Sequence, residues 1–235
     1  MSQQKATSIL FDRDYPADAW ELLRTQFTET RITKMEQTAR ERTLALRLIV
    51  QDIYQPHNIS ACLRSADAFG VQLVDVVNGV NGARVRKNFK PSTVTKGGHK
   101  WLSLRRYNSV AACAERVKEQ GYVLAAGYPD HDATPLSEVP LDRPIALVFG
   151  NEHAGVSDEW KPHLDYKFTI PMVGMVESLN ISVSCAISLF TLRQRMFESD
   201  SSRLVTQGEV DQILNAWAYD GVSEAEAQLD YYRGK

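Results

Sequence analysis

The stretch that decides the fold runs from residue 170 to residue 182 and is written IPMVGMVESLNIS. It follows an apolar run of strand length at 166–170, and a long helical pattern begins after Ser178. Proline, glycine and two methionines give the stretch few features of a helix or a strand. An apolar loop beside the unsatisfied N–H groups of a helix start is a good wall for an adenine ring. Simple capping of that helix is the competing role for Ser178 and Asn180.

A second unusual loop, FGNEHAGVS at 149–157, follows the apolar run at 145–149. Its two glycines are spaced like part of a phosphate-binding loop, but no Lys-Ser or Lys-Thr pair follows, which excludes a P-loop. What remains is a tight turn that presents backbone amides and one carboxylate, Glu152. A strand-to-helix connection with no chemical role is the alternative interpretation.

The third loop is PHNISACLR at 56–64. Helical spacing of apolar residues predicts a helix over 58–69, with Asn58 as its N-cap. On that helix Arg64 lies about 160° from the centre of the apolar stripe, so it points away from the core. A solvated arginine that pairs with Asp67, three residues later, is the competing interpretation.

Strand-length apolar runs alternate with helical patterns along the middle of the chain. The runs lie at 48–50, 71–77, 122–126, 145–149 and 166–170. This alternation predicts an α/β fold with a mostly parallel sheet and helices on both faces. Ligands of such sheets bind at the carboxyl ends of the strands, which is where the three loops lie.

Helices are predicted on both sides of this core. Residues 17–46 have a helical pattern, and Thr206-x-x-Glu209 and Ser223-x-x-Glu226 have the spacing of capping boxes. We therefore expect an N-terminal helical extension at 1–45, a core domain at 46–197 and a C-terminal helical extension at 198–235.

Charge is distributed unevenly on a chain whose net charge is −2. No carboxylate lies between Asp75 and Glu115, whereas residues 200–230 are rich in acidic side chains. A local block of cations predicts a polyanionic partner that docks there, and a solvated surface segment is the alternative. The eight cations of the block are Arg84, Arg86, Lys87, Lys90, Lys96, Lys100, Arg105 and Arg106.

Cysteine usage and hydropathy predict a cytoplasmic protein. Cys62, Cys113 and Cys185 are odd in number and lack a CxxC spacing, which is typical of buried free thiols in a reducing compartment. The first residues lack the apolar run of a signal peptide, and no 18-residue apolar stretch predicts a membrane span. The five histidines lack metal-ligand spacing, so we expect no metal.

Taken in order, the three loops resemble the signature motifs of the SpoU/TrmH branch of the SPOUT methyltransferases, over about residues 45–197. The resemblance implies a C-terminal trefoil knot, which chain-tracing rules alone would not suggest. It also implies S-adenosylmethionine as cofactor, bound in a bent form. The family's enzymes are homodimers that methylate RNA at the ribose 2′-hydroxyl, with active sites drawn from both subunits.

The resemblance also assigns roles to individual residues. Arg64 matches the catalytic arginine, and Asn58 matches the polar residue that helps to position that arginine. Glu152 matches the second-motif carboxylate, and Ser178 and Asn180 match the third-motif pair near the reacting groups. Backbone around four residues would hold the cofactor: Gly127, Gly150, Ile170 and Leu179. Relatives often carry a hydroxyl residue at position 127, so a side-chain bond to the cofactor is missing here.

A ribose 2′-hydroxyl is a poor nucleophile, so it must be held in line with the methyl group while its developing alkoxide is stabilised. A guanidinium rarely gives up its proton, because its pKa lies above about 12. We therefore assign Arg64 to the adjacent phosphate and the oxyanion. Proton removal is left to Asn58, Glu152 or a water molecule.

Within the branch, the chain is most similar to the tRNA enzymes that methylate a D-loop guanosine. The RNA contacts would then come from Arg84, Arg86, Lys87, Lys90, Lys96 and Lys100. An rRNA 2′-O-methyltransferase and a non-catalytic RNA-binding dimer of the same fold are the alternatives. A nicotinamide-dependent dehydrogenase is disfavoured, because no GxGxxG follows a first strand.

Overall fold

The computed structural model describes residues 10–78, 98–128, 132–199 and 203–234. The chain divides into two compact units. The larger unit is the continuous segment Thr43–Arg203, and the smaller one combines Met1–Arg42 with Leu204–Lys235. Five of the six predicted RNA contacts lie outside the described residues: Arg84, Arg86, Lys87, Lys90 and Lys96.

The larger unit is built on a seven-stranded sheet in which every pair of neighbours runs parallel. Its strands are β1 (Thr43–Gln51), β2 (Val71–Val77), β3 (Ser103–Tyr107), β4 (Val123–Gly127), β5 (Thr134–Pro135), β6 (Ile145–Phe149) and β7 (Tyr166–Thr169). Their order across the sheet is β3-β2-β1-β6-β4-β7-β5. The predicted α/β class with a mostly parallel sheet is confirmed.

In the part of the chain that the structure describes, three helices cover this sheet: α3 (Pro56–Ala68), α4 (Val110–Glu119) and α5 (Ile181–Ser199). Side chains of β1 alternate between the two faces of the sheet, as the pleat of a strand requires. Leu48 and Val50 join the core that α3 and α5 bury. Arg47 points the other way, where it pairs with Asp75 and donates a hydrogen bond to Gln120 at the end of α4. Helices therefore lie on both faces.

The smaller unit is helical and draws on both ends of the chain. Its helices are α1 (Ala19–Leu23), α2 (Glu29–Arg40), α6 (Gln207–Gly221) and α7 (Ala225–Tyr232). Leu23, Ala218 and Leu229 are among its buried apolar residues. The predicted capping box at Thr206 and Glu209 is present at the start of α6.

The helical pattern at 17–46 overran the helices of the smaller unit. The chain leaves the α-helical path after Leu23, α2 begins after its N-cap Thr28, and β1 already starts at Thr43. The capping box expected at Ser223 is also wrong. Glu224 precedes α7 in a left-handed conformation, and the carboxylate of Glu226 accepts a hydrogen bond from the Tyr219 hydroxyl.

The larger unit differs from the sequence prediction in two places, at the start of α3 and in the basic block. Helix α3 begins at Pro56, with Gln55 as N-cap, so Asn58 lies inside the first turn and its side chain is available for other contacts. The basic block contains the edge strand β3, which buries Arg105 and leaves Arg106 exposed. Within the described parts of the chain, every helix is too short or too polar to span a bilayer.

Candidate active site

A cavity of about 580 Å³ lies at the carboxyl ends of β4, β6 and β7. All four residues predicted to hold a cofactor line it: Gly127, Gly150, Ile170 and Leu179. Glu152, Ser178 and Asn180 line it as well. The position agrees with the rule that ligands of parallel sheets bind where the strands end.

Apolar side chains form part of the cavity wall, and sequence analysis missed two of the largest. Phe149 ends β6 and Phe168 lies near the end of β7, the strands on either side of β4, and the two rings meet edge to face with 6.1 Å between their centroids. Gly127 lies beside them, and a Cβ at this position would come within 3.3 Å of the Phe168 ring. An aromatic residue at the last position of a buried strand is the signal that could have identified Phe149.

The loop after β6 closes on itself. Asn151 and Gly155 exchange backbone hydrogen bonds of 2.8 and 2.9 Å. The side-chain oxygen of Asn151 also accepts from the N–H groups of His153 and Ala154. A Cβ on Gly150 would lie 2.0 Å from the carbonyl oxygen of Gly155, so this closed loop excludes any side chain at position 150.

Residues 51–58 and 150–160 are joined by side-chain hydrogen bonds, and we call these two segments the bonded wall. Gln51, which is fully buried, donates to the Ser157 hydroxyl at 2.8 Å. The side-chain oxygen of Gln51 accepts hydrogen bonds from the Ser157 backbone N–H and the Trp160 indole N–H, both at 3.1 Å. Asn151 donates to the backbone oxygen of Asp52 at 2.8 Å. Sequence analysis did not identify Gln51 or Asn151.

Glu152 attaches this loop to the start of α3. One carboxylate oxygen accepts from the Tyr54 N–H at 2.9 Å. The other accepts from the Gln55 N–H at 3.1 Å and from the Asn58 side chain at 2.8 Å. Burial raises the pKa of Glu152, but the hydrogen bonds from Asn58, Tyr54 and Gln55 outweigh it and hold the pKa below its usual value. The carboxylate therefore remains ionised at neutral pH.

The third loop connects to the same group of side chains. Asn180 donates from its amide nitrogen to the Asn58 side-chain oxygen at 3.3 Å. Its own side-chain oxygen accepts from the Ser182 N–H at 2.8 Å, so Asn180 also caps α5. Glu152, Asn58 and Asn180 thus form a carboxylate–amide chain that links all three loops.

Arg64 lies on the exposed surface of α3. Within the described parts of the chain it makes no hydrogen bond or ion pair, so the pairing with Asp67 is not formed. The arginine is not among the residues that line the cavity. Its guanidinium is therefore free to meet a ligand that approaches along α3.

The segment after β7, which contributes Met172 and Ser178 to the cavity lining, has a different character. Residues 171–178, which we call the open wall, have no helix or strand. Val173 and Met175 are fully exposed, and Val176 is 62% exposed. Val183, Ile187 and Phe190 extend this exposed apolar surface along α5 at helical spacing.

The described residues also bear on the predictions for metals, thiols and RNA contacts. Among the described residues, no three His, Cys, Asp or Glu side chains are grouped as a metal site would require. Cys62, Cys113 and Cys185 are buried free thiols. Lys100, the one predicted RNA contact that the structure describes, is exposed.

Comparison with known proteins agrees with this geometry. A family model described as the SpoU rRNA Methylase family matches residues 45–190. The tRNA (guanosine(18)-2′-O)-methyltransferase of Thermus thermophilus is 36% identical over 170 residues, which cover 72% of this chain and 85% of that protein.

Two solved structures share the fold. The TrmH/SpoU tRNA modifying enzyme of A. aeolicus has a TM-score of 0.73 and 31% identity, and the match covers 83% of this chain and 98% of that one. The SpoU methyltransferase AviRb of Streptomyces viridochromogenes, in complex with AdoMet, has a TM-score of 0.56 and 25% identity. That match covers 66% of this chain and 60% of the other.

Fold, cavity and relatives together define an RNA methyltransferase. The match covers more than half of the chain, and the chain belongs to the SpoU rRNA Methylase family. The family predicted from the three loops is confirmed.

Proposed function

We propose that the protein transfers the methyl group of S-adenosylmethionine to a ribose 2′-hydroxyl in structured RNA, and that the target is a D-loop guanosine of tRNA. The carboxylate–amide chain of Glu152, Asn58 and Asn180 carries the proposal, because it joins the cavity to the helix that bears Arg64. The tRNA activity of the Thermus relative supports the choice of RNA. The proposal places the reaction in the cytoplasm.

The cavity fits this cofactor. Its volume, about 580 Å³, lies within the range of about 300–1,000 Å³ that small-molecule sites occupy. Phe149 and Phe168 offer apolar surface to an adenosyl group, and Gly150 leaves the backbone of its loop accessible. The Tyr128 hydroxyl is buried beside the cavity with no partner among the described residues, so a polar group of a ligand would satisfy it. When bound, S-adenosylmethionine supplies an electrophilic methyl group on a sulfonium.

Arg64 provides the positive charge of the reaction. Its exposed guanidinium can bind the phosphate beside the target ribose and stabilise the oxygen as negative charge develops. A planar fork with five donors can serve both groups at once. We therefore assign Arg64 as a catalytic residue that acts by electrostatics and not as a base.

Glu152 and Asn58 position α3. A carboxylate with a lowered pKa and three hydrogen-bond donors on its oxygens is a weak base. The hydrogen bonds of Glu152 instead fix the first turn of α3, the helix that bears Arg64. Asn58 also accepts a hydrogen bond from Asn180, which connects this turn to the third loop. The proton of the 2′-hydroxyl would then leave to a water molecule. Ser178 lines the cavity near Asn180 and would contact the reacting groups.

A trefoil knot and a homodimer belong to the same proposal. Strand order supports the knot, because β6 lies between the earlier β1 and β4, and β7 lies between β4 and β5. The exposed apolar residues of α5 and the open wall support a dimer, since a surface of this kind marks an interface. The second subunit would complete the site.

The basic block is proposed to bind phosphates of the RNA. Reversing the charge of Arg84, Arg86 and Lys87 should weaken RNA binding across sequences. The slope of log affinity against log salt should flatten by roughly 0.7–0.9 for each phosphate that the variant no longer neutralises. Unchanged affinity and slope would make the block a solvated surface.

The decisive experiment incubates the purified protein with labelled S-adenosylmethionine and, separately, with unmodified tRNA and rRNA, and then maps the methylated nucleoside. We expect 2′-O-methylguanosine in the tRNA D-loop. If only the rRNA becomes labelled, the substrate is rRNA and the proposed methyl-transfer reaction still holds. If calorimetry at millimolar ligand detects neither S-adenosylmethionine nor S-adenosylhomocysteine, the protein is a non-catalytic RNA-binding protein of this fold.

A further inference from the structure

An exposed tyrosine stands at the edge of the bonded wall. Tyr54 lies between Ile53, which is buried, and the N-cap of α3, and it is 63% exposed. Its backbone N–H is held by Glu152 at 2.9 Å. Within the described parts of the chain, its ring meets no other ring or cation and its hydroxyl has no hydrogen-bond partner. The backbone of Tyr54 is therefore fixed, whereas its aromatic ring is exposed and forms none of these contacts with the described residues.

Two features of the surroundings of Tyr54 suit an RNA substrate. The first is the proposed reaction cavity, since Glu152 both lines it and accepts a hydrogen bond from the Tyr54 N–H. The second is positive charge beside the cavity. The exposed guanidinium of Arg64 lies on α3, on the helix face that also bears the exposed His57. The short helix Gly98–Trp101, which packs against α3, adds the exposed Lys100.

We propose that Tyr54 is the platform on which the base of the methylated nucleotide stacks, with Arg64 on the adjacent phosphate. This inference rests on the proposed function. Proteins that recognise RNA by its sequence mostly bind bases that have left the stack of their neighbours. The exposed base then needs a new flat partner, and an aromatic side chain beside cations provides one. The exposed Arg64 and Lys100 beside an exposed aromatic ring complement the phosphates and bases of RNA, so RNA is the favoured occupant.

The test compares Tyr54→Phe with Tyr54→Leu. Phenylalanine keeps the flat ring, whereas leucine keeps apolar surface without a ring. The backbone N–H that Glu152 binds survives in both. We expect kcat/KM for tRNA to fall about 10-fold in Tyr54→Leu and to stay near the parent value in Tyr54→Phe. The KM for S-adenosylmethionine should be unchanged in both. Tyr231→Leu, at an exposed tyrosine of the smaller unit, is the matched control and should retain parent activity.

A second measurement reports stacking directly. After the methylated position is mapped, 2-aminopurine replaces its base. Fluorescence should remain quenched in the complex with the parent and with Tyr54→Phe, because the base is stacked. It should be several-fold brighter with Tyr54→Leu, where the same base is flipped out but has no ring beneath it.

Four outcomes would overturn the inference. Equal kcat/KM in Tyr54→Leu and Tyr54→Phe would show that the ring has no role, and an equal decrease in Tyr231→Leu would show that the effect is not local. A Tyr54→Leu protein that is monomeric by light scattering while the parent is dimeric would make Tyr54 an interface residue. If the parent itself transfers no methyl group, the proposed function fails first, and the platform fails with it.

Discussion

The bonded wall and the open wall border the same cavity but are built in opposite ways. In the bonded wall, Gln51, Asn151 and Glu152 tie two loops together through their side chains. In the open wall, Val173 and Met175 are fully exposed. The chain's own hydrogen bonds therefore fix the first wall, whereas the second has apolar surface that the described residues leave uncovered. The wall that is bonded to the start of α3 is preset by folding, and the other wall keeps its apolar side chains exposed.

The largest effect should come from the residue that the bonded wall positions. Replacing Arg64 by alanine should lower the single-turnover methyl-transfer rate by about 10²–10³-fold, as for removal of one oxyanion donor. The affinity for S-adenosylhomocysteine and the free energy of unfolding should stay near the parent values, because Arg64 is exposed and outside the cavity.

Arg64→Lys then distinguishes the two possible roles of the charge. Lysine keeps a positive charge but lacks the planar fork, so the variant should remain slow at every pH. A rate that recovers toward the parent above about pH 10, where an ordinary lysine gives up its proton, would show that the residue acts as a base.

Two glycines, one in each wall, give a paired test of packing. Gly150→Ala places a methyl group 2.0 Å from a backbone oxygen, so the loop must open. We expect the free energy of unfolding to fall by about 3 kcal/mol and calorimetry to detect no S-adenosylhomocysteine binding. A Cβ on Gly174 meets no atom within 4 Å, so Gly174→Ala should match the parent. Equal effects would mean that the two walls are equally rigid.

Gln51→Leu removes the buried amide from the bonded wall and leaves the Trp160 indole N–H and the Ser157 N–H without their partner. Urea denaturation should show the free energy of unfolding reduced by about 2 kcal/mol, typical of a buried donor left unsatisfied. Gln55→Leu is the control, since that side chain is exposed and only its backbone N–H binds Glu152. A destabilised control would mean that any change in this segment is costly.

Changing the open wall should affect assembly and not folding. Serine at both Val173 and Met175 should leave the free energy of unfolding of the isolated chain within about 0.5 kcal/mol of the parent, as at other surface positions. Sedimentation over a dilution series should show a weaker dimer. If the double variant is strongly destabilised at concentrations where the parent is monomeric, the open wall packs against its own chain.

The smallest effect should follow protonation of Glu152. Its pKa is lower in the folded protein than in the unfolded chain, where a glutamate has a pKa of about 4.3. The corresponding stability is present above that pH and is lost as the pH falls through the folded pKa. Glu152→Gln should therefore flatten the dependence of the unfolding free energy on pH below about 4. An unchanged profile would assign that dependence to other carboxylates.

The sequence predicted some elements of the fold better than others. The strands at 71–77 and 145–149 have the predicted bounds because fully buried parallel strands appear as continuous apolar runs. Strand β3 escaped detection, since Leu104 is followed by Arg105 and Arg106 and edge strands tolerate charge. The helical pattern at 17–46 missed the end of α1 at Leu23 and the start of β1 at Thr43, because tertiary packing can override local helix propensity.

The resemblance of the three loops to the family motifs identified Glu152, Asn58 and Asn180, but not the bonds among them. Their hydrogen bonds join positions about 94 and 122 apart in the chain, and helical or strand periodicity carries no information at such separations. Gln51 gave no signal for the same reason, because its partners lie more than 100 residues away. Strand order across the sheet is likewise a matter of long-range pairing.

The smaller unit has a consequence for how the protein is made. Its first helices leave the ribosome long before α6 and α7, because residues 43–203 are synthesised in between. At about 5–20 residues per second, α1 and α2 wait roughly ten to thirty seconds for their partners. Throughout that interval Leu23 has no α7 to cover it. Nascent-chain complexes stalled before residue 204 should expose α1 to protease, and those released at full length should protect it. Helices α1 and α2 are thus synthesised well before the helices that cover them in the folded unit.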